Sequence, residues 1–110
     1  MVRYMSDYEG HTVSRKNAEF LTTLESVIQD RLVDPVEGSY TNSLFSAGKK
    51  RMAQKVGEEG VELAIAAVAG EREEILNEAA DLFYQLLVLL SSQHITLNDL
   101  CATLEARHTG

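Results

Sequence analysis

The chain of 110 residues has one cysteine, one proline, seven glycines and no tryptophan. The single thiol, Cys101, has no internal disulfide partner, which favours a reducing compartment such as the cytoplasm. So few turn-forming residues argue against an all-β fold. The aliphatic run from Leu86 to Leu90 is five residues long, whereas a membrane span needs about 20. The first residues also lack the apolar segment of a secretory signal, so we expect a cytoplasmic protein without a membrane anchor.

Positive charge is also scarce, with 10 Lys and Arg against 17 Asp and Glu and a net charge of −7. This balance argues against binding to nucleic-acid backbones, which requires a surplus of basic side chains. It does not exclude a phosphorylated small molecule, because a divalent cation can lie between carboxylates and phosphate.

Apolar residues recur at helical spacing and predict an all-α domain of four to five helices over residues 14–110, after a polar arm at 1–13. The expected helices run from Ser14 to about Leu32, Thr41 to Ala69 with a possible break near Gly48, Glu71 to Ser92, and Thr96 to about Arg107. In the first helix Phe20, Leu24, Val27 and Arg31 are expected to form one stripe, with Leu21 and Ile28 beside it. Short connections favour antiparallel neighbours.

Carboxylates interrupt the apolar seams of the two central helices. Glu59 falls in the first seam, which is Met52, Val56, Glu59, Leu63 and Ala66. Glu78 falls in the second, which is Ile75, Glu78, Leu82, Gln85, Leu89 and Ser92. Glu62 and Asp81 share the faces of Glu59 and Glu78 respectively. A buried carboxylate is costly unless something compensates it, and one shared cation could compensate both seams. The alternative is an ordinary solvated face.

The available side chains limit which metal ions the site could bind. Carboxylates without histidine or cysteine suit Mg²⁺, or Mn²⁺ in its place, and disfavour zinc and di-iron sites. Lys55 lies one turn before Glu59, where it could hold phosphate or merely form ion pairs with Glu58 and Glu59. The hydroxyls of Ser39, Tyr40 and Thr41 could contact a ribose or phosphate, although capping of the next helix is the simpler interpretation.

The third expected helix is apolar on nearly every side, and Val61, Ile65 and Val68 add a second apolar strip on the helix before it. A chain this short buries only about 60–70% of its unfolded surface. We therefore expect a homodimer that completes a larger bundle.

Several segments together resemble the phosphoribosyl-ATP pyrophosphohydrolase family, within the all-α nucleoside-triphosphate pyrophosphohydrolases related to MazG. They are Ser39-Tyr40-Thr41, residues 54–62 (QKVGEEGVE), residues 78–84 (EAADLFY) with the apolar run after them, and Arg107-His108. The resemblance covers roughly residues 20–108. The loop Asp34-Pro35-Val36-Glu37-Gly38-Ser39 is one residue longer than the family form, and Gly60 stands where alanine is common.

The resemblance implies hydrolysis of phosphoribosyl-ATP to phosphoribosyl-AMP and pyrophosphate, the second step of histidine biosynthesis, by a Mg²⁺-dependent dimer. It implies that the metal ligands are Glu59, Glu62, Glu78 and Asp81. Glu58 would be a further ligand or would orient the attacking water, and Lys55 and Arg51 would contact phosphate. Ser39, Tyr40 and Thr41 would bind substrate. Two alternatives remain: a pyrophosphatase that removes free deoxynucleoside triphosphates, and a helical dimerisation module without enzymatic activity.

Overall fold

The computed structural model describes residues 15–109, which form five helices and, within that range, no strand. The helices are α1 (Arg15–Val33), α2 (Tyr40–Ala47), α3 (Lys49–Ala69), α4 (Arg72–Ser92) and α5 (Leu97–Thr109). The predicted all-α fold is confirmed. The expected arm at residues 1–13 and the start of the first helix at Ser14 lie outside the described residues.

Local signals in the sequence explain where the helices begin and end. Ser39 caps α2, because its Oγ accepts a hydrogen bond from the Asn42 backbone N–H at 3.3 Å. Gly48, with φ of +95°, separates α2 from α3, so the expected second helix is two helices broken at the glycine. Gly70 ends α3 in the left-handed conformation and donates its N–H to the Ala66 carbonyl.

The core lies where α1, α2 and α3 pack around α4. Its buried members are Ile28, Leu44, Met52, Leu87 and Val88. The most extensive contact joins α3 to α4, which follow each other through the two-residue connection Gly70-Glu71. Glu59 and Gln85 are buried on these two helices, as their seam positions predict. The hairpin of α3 and α4 therefore positions the acidic residues.

The expected stripe on α1 is wrong in detail. Ile28 is the buried residue and is 1% exposed, whereas Phe20 and Val27 remain 58% and 44% exposed. Leu24 packs against the core as expected. The apolar residues of α1 cover a broader arc than one stripe, and contact with α4 selects the part of that arc centred on Ile28.

The first turn of the last helix is capped and is bonded to α1. Thr96 and Asp99 form a capping box at the start of this helix: the Asp99 N–H donates to Thr96 Oγ1 at 3.0 Å and the Thr96 N–H donates to Asp99 Oδ2 at 2.9 Å. These bonds lower the pKa of the Asp99 carboxyl. The Leu97 N–H donates to Glu25 Oε2 of α1 at 2.5 Å, which ties α5 to the rest of the fold. No helix among residues 15–109 combines the length and apolarity needed to cross a membrane.

Candidate active site

Three of the predicted ligands meet between α3 and α4. Glu59, Glu78 and Asp81 each contribute one carboxylate oxygen, and the three oxygens lie within 4.8 Å of one another. Glu59 is buried, Glu78 is half-buried and Asp81 is exposed. This carboxylate cluster therefore reaches from the helix interface to solvent, and a small ion can approach it from outside.

Two oxygens of the carboxylate cluster are buried without compensation. Glu59 Oε2 and Glu78 Oε2 have no hydrogen-bond partner among the described residues. A buried carboxylate oxygen in this condition has lost its hydration and gained nothing in exchange. A divalent cation between the two helices would supply the missing partner, and an all-oxygen set suits a hard ion. The residues present therefore fit a metal.

Lys55 partly neutralises the buried end of the carboxylate cluster. Its Nζ lies 3.4 Å from Glu59 Oε1 and 3.9 Å from Glu58 Oε2. Burial raises the pKa of the Glu59 carboxyl, and the neighbouring Glu62 carboxyl raises this pKa further, while Lys55 opposes both effects. In the chain without a ligand, Lys55 therefore forms ion pairs with Glu58 and Glu59. Its ammonium group also lies beside the carboxylate cluster, where it could contact a phosphate group.

Glu58 lies outside the carboxylate cluster. Its side chain is 43% exposed and is paired with two cations, with Arg51 Nη1 3.4 Å from its Oε1 and Lys55 on its other oxygen. Arg51, Lys55 and Glu58 thus form a charged rim along α3 beside Glu59.

Glu62 stands next to the carboxylate cluster rather than inside it. Among the described residues the oxygens that lie within 4.8 Å of one another do not include those of Glu62, which is exposed. Glu62 and Glu78 instead line a shallow cleft of about 210 Å³ between α3 and α4.

The hydroxyl segment, which consists of Ser39, Tyr40 and Thr41 at the start of α2, contacts α4. The Thr41 hydroxyl, which is buried, shares a hydrogen bond with the Tyr84 hydroxyl. The Tyr40 ring stacks on Tyr84, with centroids 6.1 Å apart and planes inclined by 20°. The Tyr40 hydroxyl accepts a hydrogen bond from Gln85 Nε2 at 3.2 Å. Ser39 is the cap of α2, as the simpler interpretation holds, and it also lines a cavity of about 740 Å³ together with Tyr40.

Sequence reasoning missed the contribution of Tyr84 and Gln85 to this region. The polar Gln85 between Leu82 and Leu89 in its seam was a usable signal, since a buried amide needs a partner. Nothing in the local sequence points from Tyr84 to Thr41, because the two are 43 residues apart.

The fold and the carboxylate cluster define a class: an all-α domain with an acidic, cation-compatible site shared by two adjacent helices. Residues 21–108 match the family described as phosphoribosyl-ATP pyrophosphohydrolase, and the chain belongs to that family. The resemblance recognised in the sequence is thereby confirmed, and the family's name is that of a hydrolase.

Similar proteins carry a consistent name. The histidine biosynthesis bifunctional protein HisIE of Shewanella oneidensis is 54% identical over 89 residues, which are 81% of this chain and 42% of the relative. The protein of the same name from Vibrio cholerae is 46% identical over 101 residues, 92% of this chain and 48% of the relative. The protein of the same name from Xanthomonas campestris is 48% identical over 91 residues, which are 83% of this chain and 44% of the relative. The chain spans less than half the length of these relatives.

Proposed function

We propose that this chain hydrolyses phosphoribosyl-ATP to phosphoribosyl-AMP and pyrophosphate in the biosynthesis of L-histidine. The observation that carries the proposal is the carboxylate cluster of Glu59, Glu78 and Asp81, two of whose oxygens are buried and unpartnered, in a member of the phosphoribosyl-ATP pyrophosphohydrolase family. The name of the relatives places them in histidine biosynthesis, which supports the pathway.

The cofactor in this proposal is Mg²⁺, for which Mn²⁺ can substitute. Glu59, Glu78 and Asp81 would hold it, with Glu62 as a fourth ligand after a rotamer change. Bound there, the ion would neutralise negative charge on the phosphate oxygens and on the departing pyrophosphate. A net charge of −7 thus becomes compatible with a polyanionic substrate.

The charged rim gives this chain's own residues a role in the reaction. Arg51 and Lys55 would bind phosphate oxygens, and in doing so they would leave the Glu58 carboxylate to which they are now paired. Glu58, released, can accept a proton from water. The water oxygen forms a new bond to phosphorus near the α–β linkage, the bridging P–O bond breaks, and pyrophosphate departs with the electron pair.

The hydroxyl segment would bind the nucleoside side of the substrate. Ser39 and Tyr40 border the cavity of about 740 Å³, a size within the range of small-molecule pockets. The Thr41 hydroxyl is engaged by Tyr84, so its contribution is to hold the segment in place.

The assembly in this proposal is a homodimer. Val61, Ile65 and Val68 are 60%, 65% and 90% exposed and lie at helical spacing on α3, where they form an apolar strip. Leu76 and Phe83 of α4 are also 54% and 43% exposed. A second copy would cover these side chains. We propose no nucleic-acid or membrane partner, and we propose the cytoplasm as the compartment because the one cysteine, Cys101, is a free exposed thiol.

The proposal is tested by comparing substrates on the purified chain. Phosphoribosyl-ATP is incubated with Mg²⁺ or with EDTA, and pyrophosphate and phosphoribosyl-AMP are quantified. The expected result is stoichiometric release of both products with Mg²⁺ only, and kcat/KM well above that for dCTP or dUTP. Equal or better turnover of the deoxynucleotides would favour the alternative pyrophosphatase, and no turnover of any substrate would favour the dimerisation module. Complementation of a strain lacking this histidine-pathway step tests the same proposal in the cell.

A further inference from the structure

Two consecutive residues of α4, Tyr84 and Gln85, hold two consecutive residues of α2. Tyr84 supports the Tyr40 ring by stacking and shares a hydroxyl hydrogen bond with Thr41. Gln85 donates from Nε2 to the Tyr40 hydroxyl at 3.2 Å. Tyr40 is therefore restrained at its ring and at its hydroxyl, both times by α4.

Packing alone does not account for a glutamine at position 85. Gln85 is 5% exposed, and its Oε1 has no hydrogen-bond partner among the described residues. A leucine of similar length would fill the seam without burying an unpaired polar atom. The hydrogen bond that the Gln85 amide does make is donated to the Tyr40 hydroxyl. The buried amide therefore serves to hold Tyr40 in place.

The same helix carries two carboxylates of the cluster. Tyr84 follows Asp81 by three residues and Gln85 follows Glu78 by seven, so each anchor lies on the helical face of a carboxylate. At 1.5 Å per residue these separations are about 4.5 Å and about 10 Å along the axis. One rigid helix therefore sets the position of Tyr40 relative to the carboxylate cluster.

Tyr40 remains available to a ligand despite these restraints. Its side chain is 55% exposed, and it lines the cavity of about 740 Å³ formed by residues 35–46. An aromatic ring that is fixed and still exposed offers a planar surface to a planar partner at little entropic cost. A nucleobase is such a partner, and base–aromatic stacking contributes to affinity without requiring specific hydrogen bonds.

We infer that Tyr84 and Gln85 are positioning residues that hold the Tyr40 ring as a stacking surface for the base of the nucleotide substrate. The inference rests on the proposed function, because that function supplies a substrate with a base at one end and phosphates at the other. It assigns to α4 two tasks: binding the cation that meets the phosphates and fixing the ring that meets the base.

The test separates base recognition from phosphate recognition. KM and kcat for phosphoribosyl-ATP, and the inhibition constant of inorganic tripolyphosphate, are measured for Gln85→Leu, for Tyr84→Phe and for Ser91→Ala. The control, Ser91→Ala, removes a buried hydroxyl of the same helix that has no partner among the described residues. Gln85→Leu should raise KM about tenfold, with kcat within twofold and tripolyphosphate inhibition unchanged. Tyr84→Phe keeps the ring and should raise KM less, and the control should change nothing.

A double-mutant cycle with Tyr40→Phe shows whether Gln85 acts through Tyr40. Because this substitution removes the hydroxyl that Gln85 contacts, adding Gln85→Leu should raise KM no further. Equal weakening of phosphoribosyl-ATP and tripolyphosphate, or a full additional loss in the double variant, would overturn the inference. If Gln85→Leu does not fold, Tyr40→Leu against Tyr40→Phe gives the same comparison, since only loss of the ring should weaken the base-containing ligand selectively.

Failure of the inference is distinguishable from failure of the proposed function. If the wild-type chain does not cleave phosphoribosyl-ATP, the proposed function is wrong. Stacking can then still be measured by calorimetry, as binding of ATP relative to tripolyphosphate in the wild type and in Gln85→Leu. Selective weakening of ATP supports the inference, and equal affinities in both proteins contradict it.

Discussion

Lys55 Nζ lies 3.4 Å from Glu59 Oε1, while the other oxygen of Glu59 is buried without a partner. The pair is largely removed from solvent, with side-chain exposures of 19% for Lys55 and 10% for Glu59. The most deeply buried carboxylate of the cluster is thus compensated on one side by the protein and left open on the other.

Replacing Lys55 should destabilise the metal-free chain. Lys55→Met leaves Glu59 without its internal cation, and removing one partner of a fully buried pair typically costs about 3–5 kcal/mol. Because a fifth of the Lys55 side chain is exposed, we expect a smaller loss of about 1–3 kcal/mol in urea unfolding with EDTA. Lys49→Met, on the same helix at an exposed position, is the control. Equal unfolding midpoints for the two variants would show that the pair adds nothing.

Glu59→Gln should have the opposite effect, and one that depends on pH. The pKa of Glu59 is raised in the folded chain, so its stabilising protonated form is present at low pH and is lost as pH rises through the folded value. Without metal, the stability that the variant gains relative to the wild type should therefore grow as pH rises from the ordinary glutamate pKa of about 4.3 through the raised folded value. Urea midpoints in EDTA across this range check the sign. A difference that stays constant or shrinks with pH would contradict it, and Glu73→Gln at an exposed position of α4 provides the baseline.

The seams of α3 and α4 show what helical periodicity in the sequence can predict. The seam spacing predicts burial of Glu59 and Gln85, and both are buried, because a helix that packs along one face must turn the same positions inward. The break at Gly48 and the helix end before Gly70 could also be predicted locally. Both positions adopt positive φ, which glycine accommodates more easily than other residues.

Features that depend on distant partners were not predictable in this way. The stripe on α1 was misplaced towards Phe20 and Val27 because several arcs of that helix are apolar and only the packing with α4 selects Ile28. The bond from the Leu97 N–H to Glu25 and the contacts of Tyr84 with α2 join residues far apart in sequence. Likewise, spacing places Glu62 on the face of Glu59 but does not determine which rotamer it adopts.

The capping box should control the start of α5 in a pH-dependent manner. The pKa of Asp99 is lowered by its bonds from Thr96, so the stabilisation is present above the unfolded pKa and is lost as pH falls through the folded value. Asp99→Asn and Thr96→Ala should both accelerate amide hydrogen exchange in the first turn of α5 at neutral pH. Exchange in α3 and α4 should not change. Uniform acceleration in all helices would mean that the box supports the whole fold.

The apolar strip of α3 should determine the oligomeric state. Val68→Lys places a cation on the most exposed member of the strip, near the helix C-terminus where a positive charge is otherwise favourable. Sedimentation equilibrium should show about twice the chain mass of 12.2 kDa for the wild type and a single chain mass for the variant. Leu104→Lys alters an exposed apolar residue of α5 and should leave the dimer intact. A monomeric wild type, or a variant that remains dimeric, would remove the strip from the interface.

We propose that the carboxylate cluster binds the divalent cation used to cleave phosphoribosyl-ATP. The most direct measurement is pyrophosphate release as a function of Mg²⁺ concentration, combined with Mn²⁺ binding by calorimetry, for Asp81→Asn and for the exposed control Glu73→Gln. Asp81 is the best probe because it is exposed, so its replacement should leave the fold intact. We predict that Asp81→Asn loses at least about 100-fold in kcat/KM and binds Mn²⁺ at least about tenfold more weakly, while the control matches the wild type. Unchanged activity and Mn²⁺ affinity in Asp81→Asn would contradict the account.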